Sequence, residues 1–135
     1  METYNYEEAM RFERAEVSLA KLRSIVRNEG PADEDLKELY FDFAKACMDY
    51  AHMRAEWAFM DRDARISVDS SRTSLHNRVI NNLKILKRYM ASCSYSTEWY
   101  TCILPEDADI EKQPYRKLAG DYACHITDIF AVESR

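Results

Sequence analysis

Glycine and proline are scarce in this chain, which has only 2 glycines and 3 prolines among its 135 residues. Tight turns therefore have few places to form, and this argues against a fold built from many short strands. The same shortage favours long, uninterrupted helices. The length is close to that of one ordinary domain, so residues 1–135 are predicted to share a single core.

Membrane spans and targeting signals are also missing from the pattern. No apolar run approaches the ~20 residues that a spanning helix needs. The first residues, METYNYEEAMRFERAE, are charged from the start and do not resemble a secretory leader. The 4 cysteines form no CxxC pair, so we expect reduced thiols. These features predict a cytoplasmic protein that makes no membrane contact.

Positive charge is in the minority, with 19 basic against 24 acidic residues and a net charge of −5. This balance argues against nucleic acid as a partner. One stretch differs, because every charged residue between Ser70 and Thr97 is basic. If nucleic acid were bound, the contacts would come from Lys84, Lys87 and Arg88 on the side opposite the apolar stripe. The alternatives are a solvated face and a complement to a neighbouring subunit's acidic surface.

Hydrophobic residues, at 47%, repeat at spacings of three and four, as in helices that have one apolar face. The first helix is predicted over 4–28, and Gly30 and Pro31 end it. Asp33 is the expected N-cap of the second helix. No glycine or proline lies between Pro31 and Pro105, and a single helix of that length would be too long for a compact domain. The chain must therefore bend within this stretch, and we place the bend at Ser67–Ser71.

The second half of the chain contains two more predicted helices. The third covers 71–93, and the fourth begins at Pro114. Periodicity fails between Ser94 and Gln113, which predicts an irregular loop that contains a short helical turn. The complete prediction is an all-α, antiparallel, up-down four-helix bundle with a long second helix and an irregular loop before the last helix.

On the second helix, the apolar residues that repeat at helical spacing form the predicted core face. Charged residues, namely Arg54, Asp61 and Arg65, occupy the positions where this face should continue. An unpaired buried charge is costly, so such groups must be paired, hydrated or outside the core. Three interpretations stay open. The residues form a paired polar layer, they bind a small anionic ligand, or the helix turns so that Trp57, Phe59 and Met60 become the contact side.

Two histidines have carboxylates one helical turn away, as in helical bundles that bind two metal ions. His52 has Asp49 and Glu56 as neighbours, and His125 has Asp121 and Asp128. His52, Asp121 and His125 are therefore candidate metal or acid–base residues, and surface ion pairs are the simpler alternative. No nucleophile motif, glycine-rich phosphate loop or zinc spacing is present, so we predict no cofactor and lean against an enzyme.

Surplus aromatic residues on the second helix suggest a contact surface. Phe41, Met48, Ala55 and Phe59 form a second apolar line away from the core stripe. Such a helix is either central in its bundle or shares one side with another molecule. Phe41, Met48 and Phe59, together with Trp57, are accordingly the candidate interface residues.

The segment from Arg72-Thr73-Ser74-Leu75-His76-Asn77 to Arg88-Tyr89-Met90 resembles a stretch found in short, all-helical bacterial proteins of unknown function. The resemblance implies an all-α bacterial protein and supplies no activity, cofactor or site. We therefore predict a non-enzymatic helical module that associates with itself or with a protein partner. The alternative is a small bundle, conceivably an enzyme, that binds an anion or a metal.

Overall fold

Long α-helices make up most of this protein in a computed structural model, which describes residues 6–101 and 115–133. The helices are α1 (Tyr6–Glu29), α2 (Glu34–Trp57), α3 (Arg62–Ser92), α4 (Glu98–Thr101) and α5 (Tyr115–Glu133). The described residues contain no strand, and the all-α prediction is confirmed. None of the described helices combines the length and the apolar character that crossing a membrane requires.

The connection between α1 and α2 follows the sequence signals closely. The Gly30 amide donates to the Val26 carbonyl oxygen at 2.8 Å, and a Cβ atom at position 30 would lie 2.4 Å from that oxygen. Glycine is therefore the residue that fits this turn. Asp33 caps α2 as predicted, because its carboxylate accepts the Leu36 amide at 3.1 Å.

The predicted bend at Ser67–Ser71 is wrong, since these residues lie inside α3. The chain turns at 58–61, where the Asp61 carboxylate caps α3 by accepting the Ala64 amide at 2.8 Å. Inside α3, the Ser67 hydroxyl donates to the Ala64 carbonyl and does not compete for the helix amides. The second helix consequently has 24 residues, and α3, with 31, is the longest described helix.

The core forms around α2, which packs most extensively against α3 and α5, while α1 packs mainly against α5. The largest fully buried side chains come from every described helix: Leu19, Leu22, Leu36, Phe43, Tyr50, Leu83, Leu86, Met90, Trp99, Tyr122 and Ile126. The Phe43 and Tyr122 rings meet edge to face, 5.5 Å apart. The apolar stripes of the sequence are therefore the surfaces that meet.

Contacts along α2 and α3 run in opposite chain directions. Asp33 at the start of α2 meets Tyr89 near the end of α3, whereas Tyr50 near the end of α2 meets His76 in the middle of α3. Between them, Asp49 pairs with Arg78 at 3.1 Å. These two helices therefore form an antiparallel hairpin.

The short helical turn predicted between Ser94 and Gln113 is present as α4, whose Trp99 and Tyr100 are buried. The rest of that predicted loop, from residue 102, and Pro114 lie outside the described residues. Cys47 is a buried free thiol, and burial raises its pKa well above the ordinary value. Cys93 and Cys124 are exposed free thiols.

One buried hydroxyl joins three helices. The Ser18 hydroxyl on α1 donates to the carbonyl oxygen of Trp99 in α4, and it lies 2.8 Å from the Tyr122 hydroxyl on α5. Since the single serine proton goes to the carbonyl, Tyr122 is the donor to Ser18. Ser18 is fully buried, so both bonds are shielded from water.

We expect Ser18→Ala to lower the free energy of unfolding by about 1–3 kcal/mol, because the Trp99 carbonyl and the Tyr122 hydroxyl lose a buried partner. Urea unfolding measures the change. Ser24→Ala is the matched control, since Ser24 lies on the same helix but is exposed. Equal stabilities of the two variants would contradict the assignment.

Asp33, at the start of α2, also contacts the end of α3 and the segment that follows α3. Its carboxylate accepts hydrogen bonds from Tyr89 and Tyr95, each at 2.7 Å. The hydrogen bonds from Tyr95 and Tyr89, and then that from the Leu36 amide, lower the pKa of Asp33 below its usual 3.8. The hydrogen bond between Tyr95 and Asp33 raises the pKa of Tyr95 to about 12.

A lowered pKa in the folded state means that ionised Asp33 stabilises the fold above pH 3.8 and loses this effect as the pH falls through the folded value. Asp33→Asn should therefore lower the melting temperature at neutral pH, and the difference from wild type should shrink in acid below pH 3.8. Thermal unfolding across pH measures this, with the exposed Asp42→Asn as control. A difference that persists unchanged in acid would refute the role of the charge.

Candidate functional site

The corner between α2 and α3 is a tight turn with an ordered backbone. Past the end of α2, the Phe59 amide donates to the Glu56 carbonyl at 3.0 Å, and the Met60 amide donates to the Trp57 carbonyl at 3.1 Å. Asp61 then caps α3. Each residue of the turn is thus held by a hydrogen bond to one of the two helices.

Two arginines from α3 hold Trp57 at this corner. The Arg65 Nε donates to the Trp57 carbonyl oxygen at 3.1 Å, and its guanidinium carbon lies 5.5 Å from the centre of the indole ring. The Arg72 guanidinium carbon lies 5.0 Å from the same ring, and Arg72 also pairs with Asp69 at 3.0 Å. Both cations are attracted by the π face of the indole, which fixes its orientation.

Large apolar side chains remain exposed on this ordered corner. Phe59 is 93% exposed and Ile66 is 64% exposed. Ile66, together with Trp57, Arg62, Arg65 and Asp69, lines a cavity of about 440 Å³. We name this surface the corner patch and define it by Trp57, Phe59, Arg62, Arg65 and Ile66. Aromatic and arginine side chains of this kind dominate the binding energy of many protein interfaces.

The predicted anion-binding residues Arg54, Asp61 and Arg65 lie in different surroundings. Arg54 and Asp61 are exposed, and Asp61 uses its carboxylate to cap α3, while Arg65 lies over Trp57. The buried polar layer that was one interpretation of these residues is therefore wrong. It assumed a continuous second helix, but α2 ends at Trp57, so the stripe does not continue along one helix face.

The predicted metal-binding residues lie on two helices. His52 is exposed on α2 and pairs with Glu56 at 2.9 Å, whereas Asp121 and His125 are buried on α5. Across the ranges 6–101 and 115–133, no group of three His, Cys, Asp or Glu side chains could hold a metal ion. The contact that His52 makes is a surface ion pair with Glu56, which was the simpler of the two interpretations.

His125 joins α5 to α1. Its Nε2 lies 2.9 Å from the Phe12 carbonyl oxygen, and because a carbonyl only accepts, Nε2 carries the proton. The Phe12 ring lies 4.0 Å from the imidazole, and Nδ1 is 3.8 Å from a Glu16 carboxylate oxygen. A cavity of about 440 Å³ opens beside these groups, with Asp128 also in its lining. The contacts to Phe12 hold the imidazole in place between the two helices.

The predicted interface residues lie on the outward side of α2 and at its end. Phe41 is 49% exposed, whereas Met48 and Trp57 are half-buried. Met48 also packs against the core, so the apolar line is only partly available to another molecule. Phe59 is the most exposed of the set.

The three cations predicted for nucleic-acid contact differ in their surroundings. Lys87 places its Nζ 5.5 Å from the centre of the Tyr100 ring. Lys84 is half-buried, and Arg88 is exposed.

Sequence reasoning missed the two arrangements that organise the hairpin ends, namely Asp33 with two tyrosines and Trp57 with two arginines. In both, the partners are far apart in the chain, and no short motif links them. The N-cap signal of Asp33 was visible, but the tyrosines beside it depend on the register of α2 against α3. That register depends on where the chain turns.

No family model, curated protein or solved structure matches this chain. The arrangement of its residues is therefore the basis for any statement about its function.

Removal of the Asp61 cap should destabilise α3 at the corner. We expect Asp61→Ala to lower the free energy of unfolding by about 1 kcal/mol, because the Ala64 amide loses its acceptor. Asp61→Asn is the matched control, since asparagine caps as well as aspartate. Urea unfolding distinguishes the two, and an Asp61→Ala protein as stable as wild type would disprove the capping role.

Proposed function

We propose that this protein is a non-enzymatic helical interaction module that associates with itself through the corner patch. The observation that supports the proposal is the 93% exposure of Phe59 on a turn whose backbone is held by hydrogen bonds. Aromatic side chains are more frequent at protein–protein interfaces than on the rest of the protein surface. This proposal keeps Phe59 and Trp57 as interface residues.

The energetics of the corner patch favour a contact. Burying one large apolar side chain contributes about 1.5–3 kcal/mol, and Phe59 and Ile66 both offer most of their surface. The bonds of Asp61 and Arg65 already order the turn, so association loses little additional conformational freedom. The patch is thus prepared for binding before a partner arrives.

A second copy of the chain is the partner that fits the charges of this corner. Asp61, Arg62 and Asp63 follow one another at the turn, and all three are exposed. In a two-fold pair the same surface is used twice, so the corner patch, whose Arg62 is flanked by these two aspartates, can meet its own copy with opposite charges facing. The alternating signs therefore favour self-association.

We also propose that the four long helices form one antiparallel up-down bundle. The antiparallel α2–α3 hairpin supports this topology, as do the contacts of α1 with α5, in which Phe12 meets His125 and Ser18 meets Tyr122. The exposed thiols of Cys93 and Cys124 favour a reducing cytoplasm. The resemblance of the Arg72–Met90 segment to short helical bacterial proteins fits the same proposal.

Mass in solution tests self-association. Sedimentation equilibrium at micromolar concentrations should give a dimer for wild type, and Phe59→Ser combined with Ile66→Ser should weaken the dimer at least about tenfold, which equals ~1.4 kcal/mol. The matched control combines Val17→Ser with Ile85→Ser, because these side chains are 49% and 44% exposed away from the corner. A monomeric wild type, or equal weakening by the control variant, would rule the proposal out.

A further inference from the structure

A second surface, beside the connection of α1 to α2, has a different chemistry. Here α1 and α2 make few contacts with each other, and a groove of about 410 Å³ opens between the end of α1 and the start of α2. Its lining includes six side chains with a charged or large apolar group: Arg23, Val26, Arg27, Lys37, Tyr40 and Phe41. The volume lies in the range of pockets that take small organic molecules.

The charge of this groove has one sign. Among the residues that the structure describes, three cations line it and no carboxylate does, although the chain as a whole has a net charge of −5. Arg27 and Lys37 are exposed, and neither forms an ion pair with any carboxylate in the described parts of the chain. The local field therefore attracts an anion to a protein that otherwise repels one.

The apolar part of the groove is aromatic. Phe41 is half-exposed, and its ring lies 6.1 Å from the ring of Tyr40 with a tilt of 52°. Val26 on α1 is half-buried on the other side. An inorganic anion alone would leave these apolar surfaces in water, whereas a ring placed between them would remove that surface from water.

We propose that this groove binds a small organic anion in which a carboxylate or phosphate is joined to an aromatic body. The anionic end meets Arg27 and Lys37, and the ring lies against Phe41 and Val26. Arginine offers a planar pair of donors that matches a carboxylate or phosphate, and lysine adds a mobile positive charge. This site is separate from the corner patch and does not depend on self-association.

Isothermal titration calorimetry of the full chain with naphthalene-2-carboxylate and with 2-naphthyl phosphate tests the site, and neutral naphthalene-2-carboxamide and inorganic phosphate serve as ligand controls. We expect both aromatic anions to bind, and both control ligands to bind at least about tenfold more weakly, a difference of ~1.4 kcal/mol. Absence of binding by either aromatic anion, or equal binding of the carboxamide, would overturn the proposal. So would binding of inorganic phosphate as tight as that of naphthyl phosphate.

Variants then locate the site. Arg27→Gln combined with Lys37→Gln should reduce the affinity for naphthalene-2-carboxylate at least about tenfold. The matched control combines Lys45→Gln with Arg88→Gln, two exposed cations outside the groove, and should bind as wild type does. Because Arg27 also lies in the last turn of α1, the melting temperature of each variant is measured alongside. Equal affinities of the two folded variants would refute the groove as the site, whatever the result for self-association.

Discussion

Two aspartate caps, one at each end of the α2–α3 hairpin, determine the geometry of much of this protein. Asp33 begins α2 and accepts hydrogen bonds from two tyrosines at the far end of α3. Asp61 ends the turn and begins α3. With both ends fixed, the register between the helices is fixed as well, and so are the contacts of Tyr50 with His76 and of Asp49 with Arg78. α2 is thereby held against α3 while its other buried side packs on α5.

This register also decides what remains on the surface. The turn at 58–61 exposes Phe59 and leaves Trp57 within reach of the two arginines of α3. The small area of contact between α1 and α2 leaves the cationic groove open at the opposite end of α2. The two surfaces differ in character, since Asp61 and Asp63 flank Arg62 of the corner patch, whereas the described residues that line the groove include cations and no carboxylate. They are suited to different kinds of molecule.

The fold was predictable from the sequence where local physics determines it. Apolar spacing predicted helices with one buried face, and the structure buries Leu19, Phe43, Leu83 and Ile126 on such faces. A short polar side chain at the start of the second helix predicted the cap at Asp33. The bend lies at Asp61 and not at Ser67–Ser71, because the Asp61 carboxylate caps α3 whereas the small polar residues are accommodated inside that helix. Serine is tolerated inside a helix when its hydroxyl donates to the preceding turn, as Ser67 does.

The hypothesis of an anion site on the second helix depended on that boundary. Arg54, Asp61 and Arg65 share a stripe only if one helix contains all three, and the turn separates Arg54 from the other two. His52 and His125 belong to different helices, and periodicity within a helix carries no information about distances between helices. The prediction that Trp57 and Phe59 are interface residues came from the surplus of aromatic side chains, which is a property of composition. Their environment followed only from the tertiary contacts.

The burial of Cys47 has a practical consequence. Its thiol is buried in the core near the middle of α2, whereas Cys93 and Cys124 are exposed. Among these three thiols, the two exposed ones are open to an alkylating reagent in the native state. Cys47 becomes reactive only when α2 separates from its neighbours, so its rate of modification records how often the core opens. Cys47 is therefore a built-in chemical probe for opening of the core.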